Sequence, residues 1–175
     1  MNVVFKATSR FLHEARLDLA RAHPFAAERV AFISIGATKA GDSLVLIAQG
    51  YHPVADHDYI DDETVGAMMG QDAIRKALDI ALLKSVGVIH VHMHAHKGRP
   101  RFSRTDLREQ LKFVPDFFKV RHQMPHGALV LSHDSAVGNI WLGPEQILEI
   151  SEFVSIGPQL QFESVPQGPG YDFSV

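Results

Sequence analysis

Four histidines at alternate positions, His90-Val-His92-Met-His94-Ala-His96, form the densest run of chemistry-bearing side chains in the sequence. Side chains alternate faces along an extended strand, so all four imidazoles would project to one side. Crowding unpaired imidazoles onto one buried surface is costly, whereas a divalent cation satisfies several ring nitrogens at once. Zinc takes neutral imidazole nitrogens at about 2.0–2.1 Å, and catalytic zinc sites have three protein ligands and an open position for water. The third ligand has to be a nearby oxygen or nitrogen donor. Ser103-Arg-Thr-Asp106 follows the histidines after a short loop containing Gly98 and Pro100, and it opens a helix. Ser-x-x-Asp there is related to the capping box, and a helix start can aim both side chains back at the end of a strand.

The rest of the chain has to position these groups. At 175 residues, 46% hydrophobic and 21% charged, it has the size and balance of one globular domain with a real core. We expect that domain over residues 1–165, followed by an irregular tail, Pro166–Val175, with two prolines and two glycines. The absence of cysteine excludes a disulfide framework, a thiolate nucleophile and a Cys-based zinc site. A formal net charge of −3 argues against a nucleic-acid binder working by phosphate neutralisation, and the basic run Lys97, Arg99, Arg101, Arg104 reads as a solvated loop. Charged residues or histidines interrupt every apolar run well short of a membrane span. The N-terminus lacks the layout of a signal peptide. A cytoplasmic protein is expected.

Periodicity gives the elements. Ser9 can cap a helix with Phe11, Leu12, Ala15 and Leu19 on one face, stopped by Pro24. Arg29 to Ile35 and Ser43 to Ala48 read as strands joined through the turn-like Ala37–Asp42, and Tyr51 to Asp62 as an irregular polar segment. A helix is predicted from about Thr64 or Gln71 to Lys84, closed by Gly87, and a strand over Val86 to His94. The next helix runs from Ser103, with Leu107, Leu111 and Val114 on its inner face and Pro115 at its end. Ala128–Ser132 and Asn139–Leu142 follow as strands around a turn at Asp134–Gly138. Beyond Gln146, Ile147–Phe153 could be helical, while Leu160, Phe162 and Val165 suggest a strand. Phe117, Phe118 and Trp141 read as packing residues. This order means an α/β (α+β) fold, a mixed, mostly antiparallel sheet flanked by helices.

His-x-His, a loop and then Ser-x-x-Asp resembles the JAMM motif of the JAB/MPN metalloprotease family, zinc isopeptidases and deubiquitinases. Glu28-Arg-Val-Ala-Phe-Ile-Ser-Ile-Gly36 is similar to that family's upstream Glu before an apolar strand, and His126–Ser132 and Asn139–Trp141 look like its later strands. The resemblance runs from about Phe11 to Leu142. It implies an MPN/JAB-like fold, Zn2+ held by His92, His94 and Asp106, Glu28 as general base, and Ser103 assisting at the oxyanion. It also implies a hydrolase cutting an isopeptide or peptide bond after a ubiquitin-like protein's tail, with such proteins, their conjugates and their activating enzymes as partners. Two departures stand. The residue after the second ligand His is Ala95 or Lys97 rather than Pro, and the spacing to Asp106 is one residue long from His92 or one short from His94. A register of His94, His96 and Asp106 therefore stays open.

Two other readings compete. His90-Val-His92-Met-His94 resembles the first part of the histidine-triad motif of nucleotide hydrolases and transferases, with His92 as nucleophile and no metal. That leaves Glu28 and Ser103-x-x-Asp106 without a task, and Ala95-His96-Lys97 breaks the apolar run. A non-catalytic zinc-binding scaffold predicts bound metal and no hydrolysis. His52, His57 and Asp61 lie in a segment that could rim a cleft. The oligomeric state is not legible in the sequence.

Overall fold

Gly87–Met93 alternates two sets of side chains, and both are covered. Ile89, Val91 and Met93 enter a core with Phe5, Leu12, Leu19, Ile33, Ile35, Leu129 and Leu131. Val88 enters a second core with Val30, Phe32, Ala73, Ala77, Ala81 and Phe117. The histidines share the parity of Val88 and so face the second core. This arrangement is seen in a computed structural model of the chain, which describes residues 1–23, 26–61 and 66–157 and the backbone of 161–164.

In chain order the elements are β1 (Asn2–Thr8), α1 (Ser9–Leu19), β2 (Val30–Ala40), β3 (Ser43–Pro53), a 3-10 turn (Asp56–Asp58), α2 (Gln71–Lys84), β4 (Gly87–Met93), α3 (Arg104–Arg121), β5 (His126–Leu131), β6 (Ala136–Gly143), β7 (Gln146–Glu149), β8 (Glu152–Ile156) and β9 (Gln161–Ser164). The strands form a nine-stranded sheet in the order β7-β6-β5-β4-β2-β3-β1-β8-β9. Five of its pairings are antiparallel and three (β1–β3, β1–β8 and β4–β5) parallel, so the sheet is mixed and mostly antiparallel, as expected. Helix α1 packs on one face, α2 and α3 on the other. Among the described residues no helix is long and apolar enough to cross a membrane.

The structure corrects several expectations. Thr8, not Ser9, caps α1 by accepting from Phe11 N. The helix ends at Leu19, and Pro24 lies outside the described residues. β2 and β3 pair as far as Ala40 and Ser43, which narrows the predicted turn to Gly41-Asp42, with Gly41 at φ +58°. Tyr51–Pro53, expected to be irregular, continues β3. α2 starts at Gln71, the alternative start Thr64 lying outside the described residues, and Ser85 rather than Gly87 reverses it, at φ 55°. Gly87 instead opens β4, where a Cβ would collide with the carbonyl oxygen of Pro125.

Pro115 does not end α3. The helix continues because Val114, Phe117 and Phe118 around and beyond Pro115 are buried, outweighing the hydrogen bond that proline removes. Leu107 and Leu111, predicted inward, are exposed, and the inner stripe is Gln110, Val114, Phe117 and Phe118. β1 had no counterpart in the sequence reading, and the helical option for Ile147–Phe153 gives way to β7 and β8. β6 begins at Ala136, so the turn before it is Ser132–Ser135. Phe162 falls within β9. Leu160, Val165 and the tail Pro166–Val175 lie outside the described residues. Trp141 and Phe118 pack together with Val114.

His126 ties α3 to the sheet. Its Nδ1 accepts from Val88 N at 3.1 Å, and its Nε2 reaches Arg121 O at 2.9 Å, between the rings of Phe117 and Phe118. Burial pushes its pKa down to about 4, against the opposing Arg121 carbonyl, because a proton on Nδ1 would face the Val88 N–H. A histidine held below its ordinary value of about 6.5 contributes stability that is full above that pH and lost as pH falls toward the folded-state value. The expected contribution is about 3 kcal/mol between about pH 6.5 and 4. Urea unfolding at both pH values should show the His126→Asn variant, which keeps an acceptor for Val88, losing about one proton's worth of that slope.

Candidate metal centre

Register brings the site together. β2 runs antiparallel to β4 with Val30 opposite His92, so Glu28, two residues before Val30, arrives beside His94 where the strands end. The chain entering β2 is held firmly. Buried Arg29 donates to the carbonyls of Arg21 and Ala22 and to Asp56 Oδ1 at 2.6 Å. Val30 N donates to Tyr59 Oη at 2.8 Å, and Glu28 N donates to Gly66 O at 2.8 Å. Gly66 leaves room for the carboxylate: a Cβ there would stand 3.1 Å from Glu28 Oε2.

Beyond Met93 the loop to α3 is pinned to the β5–β6 turn. Ser132 Oγ donates to Gly98 O at 2.7 Å, Gly98 N to Asp134 Oδ1 at 2.7 Å, and His133 N to His96 O at 3.0 Å. The loop delivers Ser103 to the start of α3, where the capping box forms in full. Ser103 Oγ accepts from Asp106 N at 3.1 Å, and Asp106 Oδ2 accepts from Ser103 N at 2.7 Å. That same Oδ2 lies 3.6 Å from His92 Nε2.

Glu28, His92 and His94 offer ligand atoms that all lie within 4.8 Å of one another, with Glu28 Oε1 3.8 Å from His94 Nε2. Asp106 approaches His92 but stands outside that mutual set. Ligand atoms around a tetrahedral zinc ion are separated by about 3.4 Å, so the 3.6 Å and 3.8 Å contacts are near the spacing a shared ion needs. His92 Nε2 is buried with no hydrogen-bond partner among the described residues, which is costly unless something else takes its lone pair. Two imidazoles with carboxylates are a donor set that suits a divalent cation, so the group could bind a metal ion. His96 goes elsewhere: it is exposed, and its Nδ1 engages Lys97 O at 2.8 Å.

Protonation suits the same role. Burial, helped by the neighbouring His92, pushes His94 down against the opposing Glu28, and burial pushes His90 down to about 3. Burial would raise Asp106, but His92 and the Ser103 hydroxyl and N–H outweigh it and hold the carboxyl well below the usual carboxylate range. Metal ligands of this type bind as neutral imidazole and carboxylate anion.

The group lies in a cleft of about 650 Å3 that Ser103 and Asp106 border on one side and Gly66 to Met69 on the other, over His90, His92 and Ala128. The sequence reading missed Gln110, Phe113, Met68 and Met69, which also line it. Gln110 was findable, one helical turn after Asp106. Met68 and Met69 come from an irregular segment without periodicity. His52 does not rim the cleft: it sits on β3 with Nε2 3.1 Å from Ser34 Oγ. His57 and Asp61 are likewise not among its lining residues.

No family model matches this sequence, and no curated protein does. Among solved structures the chain is similar to the Trichoplax adhaerens STIL N-terminal domain, at 13% identity and a TM-score of 0.31. The match covers 76% of this chain and 39% of that one, and at this TM-score it bears on neither fold nor function.

The orphaned His92 nitrogen generates a prediction that needs no substrate. Zinc at a hundredfold over its Kd is expected to stabilise the chelator-treated protein by about 2.7 kcal/mol, raising Tm by about 5–10 °C for a chain of this size. His92→Leu, which removes that unpaired nitrogen, should melt no lower than the metal-free wild type and ignore zinc. Thermal unfolding with and without zinc reads both, and a wild-type Tm indifferent to zinc would count against the site.

Proposed function

We propose that this protein is a zinc metallopeptidase of the JAB/MPN type, hydrolysing an isopeptide or peptide bond after the tail of a ubiquitin-like protein in the cytoplasm. The observation that carries the reading is the convergence of Glu28, His92 and His94 within 4.8 Å, with Asp106 3.6 Å from His92, in an open cleft. It is the set of residues on which the sequence resembles that family. His92, His94 and Asp106 would hold the ion. When bound, zinc supplies a water of lowered pKa and a positive charge facing the scissile carbonyl. Glu28 takes up the proton of the attacking water and returns it to the leaving amine. The Ser103 hydroxyl, at the N-terminus of α3, donates to the developing oxyanion. Ubiquitin-like proteins, their conjugates and their activating enzymes are the partners that this chemistry would serve.

The test combines metal content with turnover. Untagged wild type is expected to carry about one zinc per chain, lost in Asp106→Ala and His94→Ala. Glu28→Gln should keep the metal and lose about 100-fold or more of its activity on a ubiquitin-like isopeptide conjugate. A Glu28→Gln protein without zinc would make Glu28 a ligand instead. Wild type that stays metal-free in added zinc would sink the reading and turn attention to nucleotide phosphoramidates and His92, while zinc without hydrolysis would leave a scaffold.

Gly66→Ala tests positioning separately. Its Cβ would press on Glu28 Oε2, and misplacing a reacting group by a fraction of an ångström is costly. We expect kcat lower by about tenfold, with zinc content unchanged.

A further inference from the structure

The metal set leaves two buried nitrogens of the same cleft unexplained. His90 Nε2 and Gln110 Nε2 have no hydrogen-bond partner among the described residues, and Gln110 is 2% exposed. The sheet register shows why a hollow lies between them. His90 pairs with Ala128, and Ala128 with Asn139, so the three side chains stand in one row across β4, β5 and β6. A methyl group between two longer side chains leaves space above it, and α3 carries Gln110 over that row. Asn139 Nδ2 donates to Gln110 Oε1 at 3.3 Å. This contact fixes the orientation of the Gln110 amide and leaves its NH2 as the free end, a donor in need of an acceptor. Phe113 also lines the cleft there, its ring 5.1 Å from that of His90.

We infer that this inner end of the cleft is a substrate subsite that accepts a neutral carbonyl oxygen, one peptide unit along from the scissile bond, on the Gln110 NH2 beside His90. Aromatic and methyl walls disfavour a charged occupant, and an uncompensated buried amide marks a place where a partner is expected. The rings of His90 and His92 lie 5.9 Å apart, so the subsite adjoins the metal set. The subsite rests on the metallopeptidase reading, because His92 is both its neighbour and a ligand of the ion.

Two hydroxamates of equal length test it by calorimetric titration into zinc-loaded protein. N-acetylglycine hydroxamate carries the carbonyl, and pentanohydroxamate replaces its amide with methylenes. Gln110→Met keeps the side-chain volume but removes the donor, and is expected to weaken the amide probe about tenfold while leaving the alkyl probe unchanged. Asn139→Ala, which frees the Gln110 amide to turn, should lose part of the same advantage and serves if Gln110→Met does not fold. Thermal unfolding provides the structural control: a merely structural Gln110 would lower Tm in the methionine variant and leave the ratio of the two affinities alone. An affinity ratio equal in wild type and both variants overturns the subsite and leaves the metal centre standing. Failure of both probes to bind wild type, or of the protein to take up zinc, overturns the metal centre and the subsite with it.

Discussion

Burial of β4 on both faces is the constraint on which the site depends. Because the side-chain period of a strand is two, a slip of one residue against β2 would exchange the two sets completely. Ile89, Val91 and Met93 would then face the cleft, and the histidines would enter the apolar core beneath α1. The cost of moving three large apolar side chains out and imidazoles in fixes the pairing of Val30 with His92. From that pairing it follows that His94 and Glu28 meet where the strands end. The metal-type geometry is thus a by-product of hydrophobic registration on the opposite face, which needs no contribution from the ion.

Helix α3 supplies the other half of the site by a different device. Its deeply buried apolar residues, Val114, Phe117 and Phe118, all lie beyond its first ten residues, whereas Leu107 and Leu111 are exposed. The helix is therefore anchored through its C-terminal half, with His126 wedged against Phe117 and Phe118. Its first turns border an open cleft, not a packed core. α2 meets the sheet through Ala73, Ala77 and Ala81, which permit close approach. Asp106 then has two tasks on one oxygen, closing the capping box and facing His92. The capping box fixes the direction of its carboxylate, so helix stability and site geometry are coupled at that residue.

What could be read in the sequence is what depends on local pattern. The alternation of His90, His92 and His94 announced a one-sided row that His96, out in the loop, does not join, Ser103-x-x-Asp106 announced a helix start, and the β-branched run after Glu28 announced a strand. What could not be read depended on contacts distant in sequence. β1 is stabilised by parallel pairing with β3 and β8, about 40 and 150 residues away along the chain, and nothing near the N-terminus signals those partners. Pro115 is a helix breaker by its own chemistry, yet tertiary packing on both sides of it carries α3 through. The inward stripe of α3 keeps Val114 but takes Gln110 in place of Leu107 and Leu111, because both sets fit the helical period and only packing distinguishes them. The choice between His92 and His96 likewise turns on where the strand ends: Met93 is the last paired residue, and His96 sits in the loop, bonded to Lys97.

The two faces of the sheet divide the work unequally. The α1 side gathers a continuous apolar cluster drawn from β1 to β6 and β8 and closed by Leu12 and Leu19. The α2–α3 side accommodates buried nitrogens at His90, His92 and Gln110 without partners among the described residues. Each such group works against folding by roughly 1–3 kcal/mol, a penalty the apolar face can bear because domain stability is a small difference between large terms. Had these polar groups been scattered, each would call for its own local explanation. Arg121 Nε, Trp141 Nε1 and Ser155 Oγ are also buried without a hydrogen-bond partner among the described residues, but outside the cleft, whereas His90, His92 and Gln110 line it together on one row of β4 and the facing turn of α3. Leucine and methionine at these positions would fill the cleft without that penalty, so its polar lining trades stability for the space and the donors that the proposed function needs.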